Sequence, residues 1–193
     1  KAKIKREETS FFLSAAVIAV LICVVGFTGI ANAGKTAKEI DASVDAAMDR
    51  FHEKFEDAAD VVRKAKGLVI MPNVKKAGLI VGGEYGKGAL RIDGKSVAYY
   101  RIISGSAGFQ IGVEAKDIIL AFMTDEVLEK FRNSKGWEAG VDGNVAFITV
   151  GGGGSATTRN VNEPIVGYVF DVKGLMGDIS LRGAKFSKID PAP

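Results

Sequence analysis

Residues 62–92 read VRKAKGLVIMPNVKKAGLIVGGEYGKGALRI, and the change of rhythm at Gly67 decides the fold. Upstream of that glycine, Ile40, Val44, Met48, Phe51, Phe55, Ala58 and Val62 return every three or four positions. That spacing lays one apolar stripe along a helix. Downstream the chain breaks into short runs of β-branched, aliphatic and glycine residues: Leu68 to Met71 closed by Pro72-Asn73, then Ala77 to Tyr85, then Gly88 to Ile92. Such runs, punctuated by turn residues, read as strands.

The helix has its own start and stop. Thr36 with Glu39 three residues later forms a capping box, and Lys64 and Lys66 precede Gly67 where the helix dipole favours cations. A break is expected near Asp57. The polar face carries Asp41, Asp45, Asp49, Glu53, Lys54 and Asp57 and is acid-rich over its first two-thirds, whereas helices that lie on membranes carry mostly Lys and Arg there. The stripe is therefore expected to pack on a sheet.

Further strand signals recur about every ten residues. They fall at Val97 to Ser104, Gly108 to Val113, Ile118 to Met123, Val145 to Val150, Ile165 to Val172 and Asp178 to Leu181, with a turn at Asp93-Gly94. One helix interrupts them: Thr124 caps it, Asp125 and Glu126 suit its first turn, and Val127, Leu128 and Phe131 give its buried face. Gly151 to Asn162 reads as loop. The expected class is α+β: an N-terminal amphipathic helix packed on a Gly-rich, mainly antiparallel β sandwich or partly closed barrel, with one further helix near 124–135.

Working back to the first residues, Lys1 to Arg6 precede an apolar run from Phe11 to about Ile30, and Ala31-Asn32-Ala33 offers a small-x-small cleavage pattern. Residues 1–33 thus read as an export signal cleaved after Ala33, with residues 34–193 as one domain. The run is also nearly long enough to span a bilayer, so an uncleaved anchor is the alternative. The single cysteine, Cys23, falls within this segment, where Ile22 before it departs from a lipoprotein pattern. An export signal implies a destination outside the cytoplasm, in the periplasm or cell envelope. A mature chain cut after Ala33 would hold no cysteine, which sets aside disulfides, thiolate nucleophiles and cysteine-ligated metals.

The net charge of +3 owes about +2 to those first residues, too little elsewhere for a general nucleic-acid binder. His52, the only histidine, lies mid-helix among charges and has no orienting partner in its pattern. Gly151-Gly152-Gly153-Gly154-Ser155 lacks the Lys-Ser/Thr ending of a phosphate loop, and Gly82 to Gly88 misses the dinucleotide spacing. There is no calcium-loop or paired-histidine motif, and no cofactor is expected. Basic residues gather near the turns: Lys64, Lys66, Lys75, Lys76, Lys87, Arg91, Lys173, Arg182, Lys185 and Lys188. Charge patterning favours a solvated surface for them. Their functional reading is an anionic headgroup patch, at about 1 kcal/mol per Lys or Arg beside a charged membrane.

Three blocks carry a resemblance. Lys64 to Pro72 with Lys76-Ala77-Gly78 and Gly82 to Gly88, then Ser106-Ala107-Gly108-Phe109-Gln110-Ile111-Gly112, then Gly174 to Gly183, resemble in order the elements of the SYLF (Ysc84-like) domain. The resemblance covers roughly residues 45–189 and implies lipid binding without catalytic residues, in a bacterial envelope branch. It also implies that eukaryotic relatives bind phosphoinositides and the yeast branch actin. Tyr168-Val169 departs from the Tyr-Ser of the eukaryotic pattern, and the region from Val145 to Thr158 departs from their Ala-Gly-Pro loop, so those specificities are not carried over. The lipid-contacting residues expected are Lys75, Lys76, Lys87, Arg91, Lys173 and Arg182 for headgroups, with Phe109 and Met176 near acyl chains. Two rivals remain: an adaptor that binds another envelope protein, and a phospholipid hydrolase using Ser104 or Ser106 near an acid.

Overall fold

In the computed structural model the described residues are 35–78, 81–107, 112–149, 163–173, 181 and 183–193. The expected signal with its cleavage residue Ala33, the expected strand from Asp178, the Gly151–Asn162 loop, and Phe109, Met176 and Arg182 lie outside them. Helix α1 (Ala37–Lys54) begins at the capping box: Thr36 Oγ1 accepts from the Glu39 N–H, and the Glu39 carboxylate accepts from the Thr36 N–H at 2.7 Å. The break falls at Phe55, two residues before the expected one. A 3-10 turn (Glu56–Ala58) leads into the short α2 (Ala59–Lys64). There Val61 rather than Val62 is the fully buried residue, because the interruption rotates the apolar stripe.

Eight strands follow: β1 (Gly67–Gly78), β2 (Val81–Ile92), β3 (Lys95–Ala107), β4 (Gly112–Phe122), β5 (Trp137–Glu138), β6 (Ala146–Thr149), β7 (Ile165–Lys173) and β8 (Lys185–Ile189). Helix α3 (Asp125–Asn133) separates β4 from β5, and its Thr124 cap forms as the sequence indicates. All eight strands make one sheet in the order β5-β8-β3-β2-β1-β4-β7-β6, antiparallel except between β6 and β7. The expectation of a two-sheet sandwich is corrected: its layers are one sheet with helices on both faces.

The partly closed barrel is the nearer description, because the sheet curls. Trp137 on the edge strand β5 and Ile165 on β7, near the opposite edge, both come within contact of Gly143, where a Cβ would lie 2.9 Å from one and 3.1 Å from the other. The inner face holds a core of Val69, Met71, Leu90, Tyr100, Ile102, Leu120, Phe122 and Val169, closed by Phe131 of α3 and Trp137. Alternate residues of the same strands, Ile70, Ala89, Ile119, Ala121, Val166, Tyr168 and Phe170, face outward. There Ile40, Val44, Ala47 and Phe51 of α1 cover them. A period of two thus feeds two cores from one sheet.

Two strands expected to be broken, β1 at Pro72-Asn73 and β2 between Tyr85 and Gly88, are continuous. Pro72-Asn73 is a bulge within β1, not its end. Asn73 takes a positive φ of 49°, and its N–H finds an acceptor at 2.8 Å in Asp117 Oδ1 of the neighbouring strand. That bond satisfies a backbone donor the bulge would otherwise orphan. Gly88 is needed for close approach, since a Cβ there would overlap the Ile70 carbonyl oxygen.

Candidate functional site

The outer face divides into a covered and a bare part. Helix α1 crosses it from β3 to β7 on a ladder of polar straps. Asp41 accepts from Ser96 Oγ at 2.7 Å and from Tyr99 OH at 2.9 Å, and Asp45 accepts from Arg91 at 2.6 Å. Farther along, Arg50 donates to the buried Asp117 at 2.8 Å, and Lys54 reaches Asp171 at 3.4 Å. Burial, together with its bond to Asp41, raises the Tyr99 hydroxyl above its ordinary pKa. Burial of Asp171 opposes its ionisation, but Lys173 and Lys54 outweigh that and hold its carboxyl below the usual value.

Beyond α1, toward the end where β1 gives way to β2, no described element covers the outer face. The register sets Lys173, Ala115, Lys75, Tyr85, Ile103 and Lys185 side by side across β7, β4, β1, β2, β3 and β8. Lys87 and Arg101 pair in the adjacent row. Tyr85 and Ile103, 45% and 46% exposed, are large side chains left bare at its centre. Among the described residues Lys75, Lys87 and Arg101 make no ion pair. The acids lie at the row's two ends: Asp171, 3.3 Å from Lys173, and Glu138, the backbone partner of Lys185.

The expected headgroup residues therefore separate. Lys75, Lys87 and Lys173 share the bare outer surface. Arg91 does not join them: it is spent on Asp45, with its side chain 17% exposed, and belongs to the fastening of α1. Lys76 points the other way from Lys75, as neighbours on a strand must. It stands on the inner face between Glu84 and Glu114 in the register. Tyr85, Arg101, Ile103 and Lys185 are additions to the expected set. The signal for the first three was alternation, Tyr85 with Lys87 and Arg101 with Ile103, which is visible in sequence but gains meaning only when the strands are paired.

The inner face ends in a polar layer above the apolar core. Lys116 Nζ donates to Glu84 Oε1 at 2.8 Å, with the two side chains only 4% and 3% exposed. Ser104 is the cross-strand neighbour of Glu84, yet no hydrogen bond among the described residues joins it to a carboxylate or to His52. His52 is exposed on α1. Among the described residues no group of His, Cys, Asp and Glu is arranged to hold a metal ion.

Comparison with known proteins covers the second and third of the blocks read from the sequence. Residues 103–192 match the family described as "Ysc84: Las17-binding protein actin regulator". Over 134 residues the chain is 35% identical to SH3 domain-containing YSC84-like protein 1 of Bos taurus and 36% identical to that of Homo sapiens. The aligned stretch is 65% of this chain but 38% of each relative, so the chain spans well under half of those proteins. The chain carries a Ysc84-like (SYLF) domain.

Proposed function

We propose that this domain is a non-catalytic lipid-binding module that docks on anionic phospholipid surfaces through the bare part of its outer face, as an exported protein of a bacterial envelope. The observation that carries the reading is the row Lys75-Tyr85-Ile103 with Lys87 and Arg101 beside it: cations with no ion pair among the described residues, around two exposed large side chains, next to a helix whose solvent face is acidic. Cations attract an anionic headgroup layer, and an amphipathic tyrosine with an aliphatic neighbour suits the boundary beneath it. The acids Glu39, Asp45, Asp49 and Glu53 on α1 would be repelled by the same surface, so the charges also orient the domain. Export and envelope location rest on the basic, apolar and Ala-Asn-Ala pattern of residues 1–33.

Co-sedimentation with vesicles tests the reading. Binding is expected to anionic but not neutral vesicles, and to weaken as salt screens the cations. Equal binding to both at low salt rejects the electrostatic part.

A protein partner is the second reading, favoured by the family description, which speaks of Las17 binding and actin regulation. The exposed Tyr85 and Ile103 would serve it as well. Capture of an envelope protein that persists without lipid, and is lost on changing Tyr85 and Ile103 to serine, would favour it.

A further inference from the structure

The polar layer on the inner face is not explained by stability. Burying a carboxylate and an ammonium costs several kcal/mol per ion, and well-packed apolar residues in their place are often as stable or more so. Here Lys116 reaches over β1 to Glu84, and only one carboxylate oxygen is used. Glu84 Oε2 is buried and accepts no hydrogen bond among the described residues. A charged oxygen left without a donor in such a place is costly. It lies on the same end of the sheet as the outer basic row, since Lys76 follows Lys75 and Glu84 precedes Tyr85.

We propose that Glu84 and Lys116 form a subsite for a hydroxyl group of a lipid headgroup. The chemistry follows from the pair's neutrality. A cationic group brought to Glu84 Oε2 would also face the Lys116 ammonium, and an anionic one would face the carboxylate. A neutral hydroxyl avoids both penalties: it donates to Glu84 Oε2 and can accept from Lys116. Lys76, only half-buried and the register neighbour of Glu84, is the side chain that would move aside on entry. This inference rests on the proposed docking at anionic bilayers, which brings headgroups to this end of the sheet, and adds a preference among lipids of equal charge.

The test uses the full chain and two vesicle types matched in surface charge, one with phosphatidylglycerol and one with phosphatidylmethanol, which lacks the headgroup hydroxyls. Phosphatidylglycerol is expected to bind about tenfold more tightly, as one hydrogen bond to a charged group would give. Soluble glycerophosphoglycerol in excess should erase the difference. The double variant Glu84→Gln/Lys116→Met should bind both vesicles as the wild type binds phosphatidylmethanol. If that variant fails to fold, the wild-type comparison and the competition decide alone. Equal affinity of the wild type for the two vesicles, with salt-sensitive binding intact, overturns the subsite and leaves the docking reading standing. Binding to neither overturns both.

Discussion

The two halves of the outer face are built from the same strands and meet different fates. Under α1, Ile70, Ala89, Tyr168 and Phe170 are sealed by Ile40, Val44 and Phe51, and Arg50, Lys54 and Arg91 each pair with an aspartate. Past the end of the helix the same face turns to Lys75, Tyr85, Lys87, Arg101 and Ile103, with nothing over them among the described residues and no ion pair for the three cations. A basic residue on this sheet is therefore structural or available according to which half it occupies. Arg91 and Lys87 make the point: four residues apart on one strand and on one face, both half-buried, one fastens a helix and the other makes no ion pair among the described residues.

The largest break in that contrast should come from the covered half. Phe51 is fully buried and packs edge-on against Tyr168, with ring centroids 5.0 Å apart, and against Phe170. Phe51→Ala is expected to cost about 3–5 kcal/mol of unfolding free energy. Denaturant melts can follow it through the fluorescence of Trp137, the only tryptophan, which lies in the opposite core. An unchanged midpoint would mean that α1 is not a stabilising layer.

The bare half should answer in the opposite currency. Neutralising it with Lys75→Gln, Lys87→Gln and Arg101→Gln together is expected to lower affinity for anionic vesicles by about 100-fold, at roughly 1 kcal/mol per cation. The melting temperature should hold, because none of the three is paired among the described residues. Arg91→Met sharpens the boundary between the halves: it should lower stability by about 1 kcal/mol or less, as a partly exposed pair does, and leave vesicle binding intact. Loss of binding without loss of stability would move Arg91 to the other half.

The smallest effect concerns acid. The Asp171 carboxyl titrates below its ordinary value of 3.8, so its contribution is present above the unfolded pKa and is lost as the pH falls through the folded one. Stability followed from about pH 5 to about pH 3 should therefore decline less steeply in Asp171→Asn than in the wild type. Equal slopes would show that Lys54 and Lys173 do not favour its charged form.

Local signals were legible from the sequence and pairings between distant residues were not. The capping box at Thr36 and Glu39, the α1 stripe and the Thr124 cap each lie within a few residues, and all three form. Pro72-Asn73 looked like a strand end because the acceptor that rescues its backbone, Asp117, is 44 residues away. The partner that removes Arg91 from the candidate site, Asp45, is 46 residues away. Adjacency in sequence groups Lys75 with Lys76, although the period of two alone assigns them to opposite faces. One sheet feeding two cores has the same strand signals as two packed sheets, since both ask each strand for alternating residues.

The central claim is tested most directly by an environment-sensitive fluorophore placed by cysteine at Ile103, and separately at Asp49 on the solvent face of α1, in a chain carrying Cys23→Ser. With anionic vesicles the Ile103 probe should shift its emission to the blue and the Asp49 probe should not. A shift at Asp49 with none at Ile103 would place the membrane on the acidic helix and contradict the account.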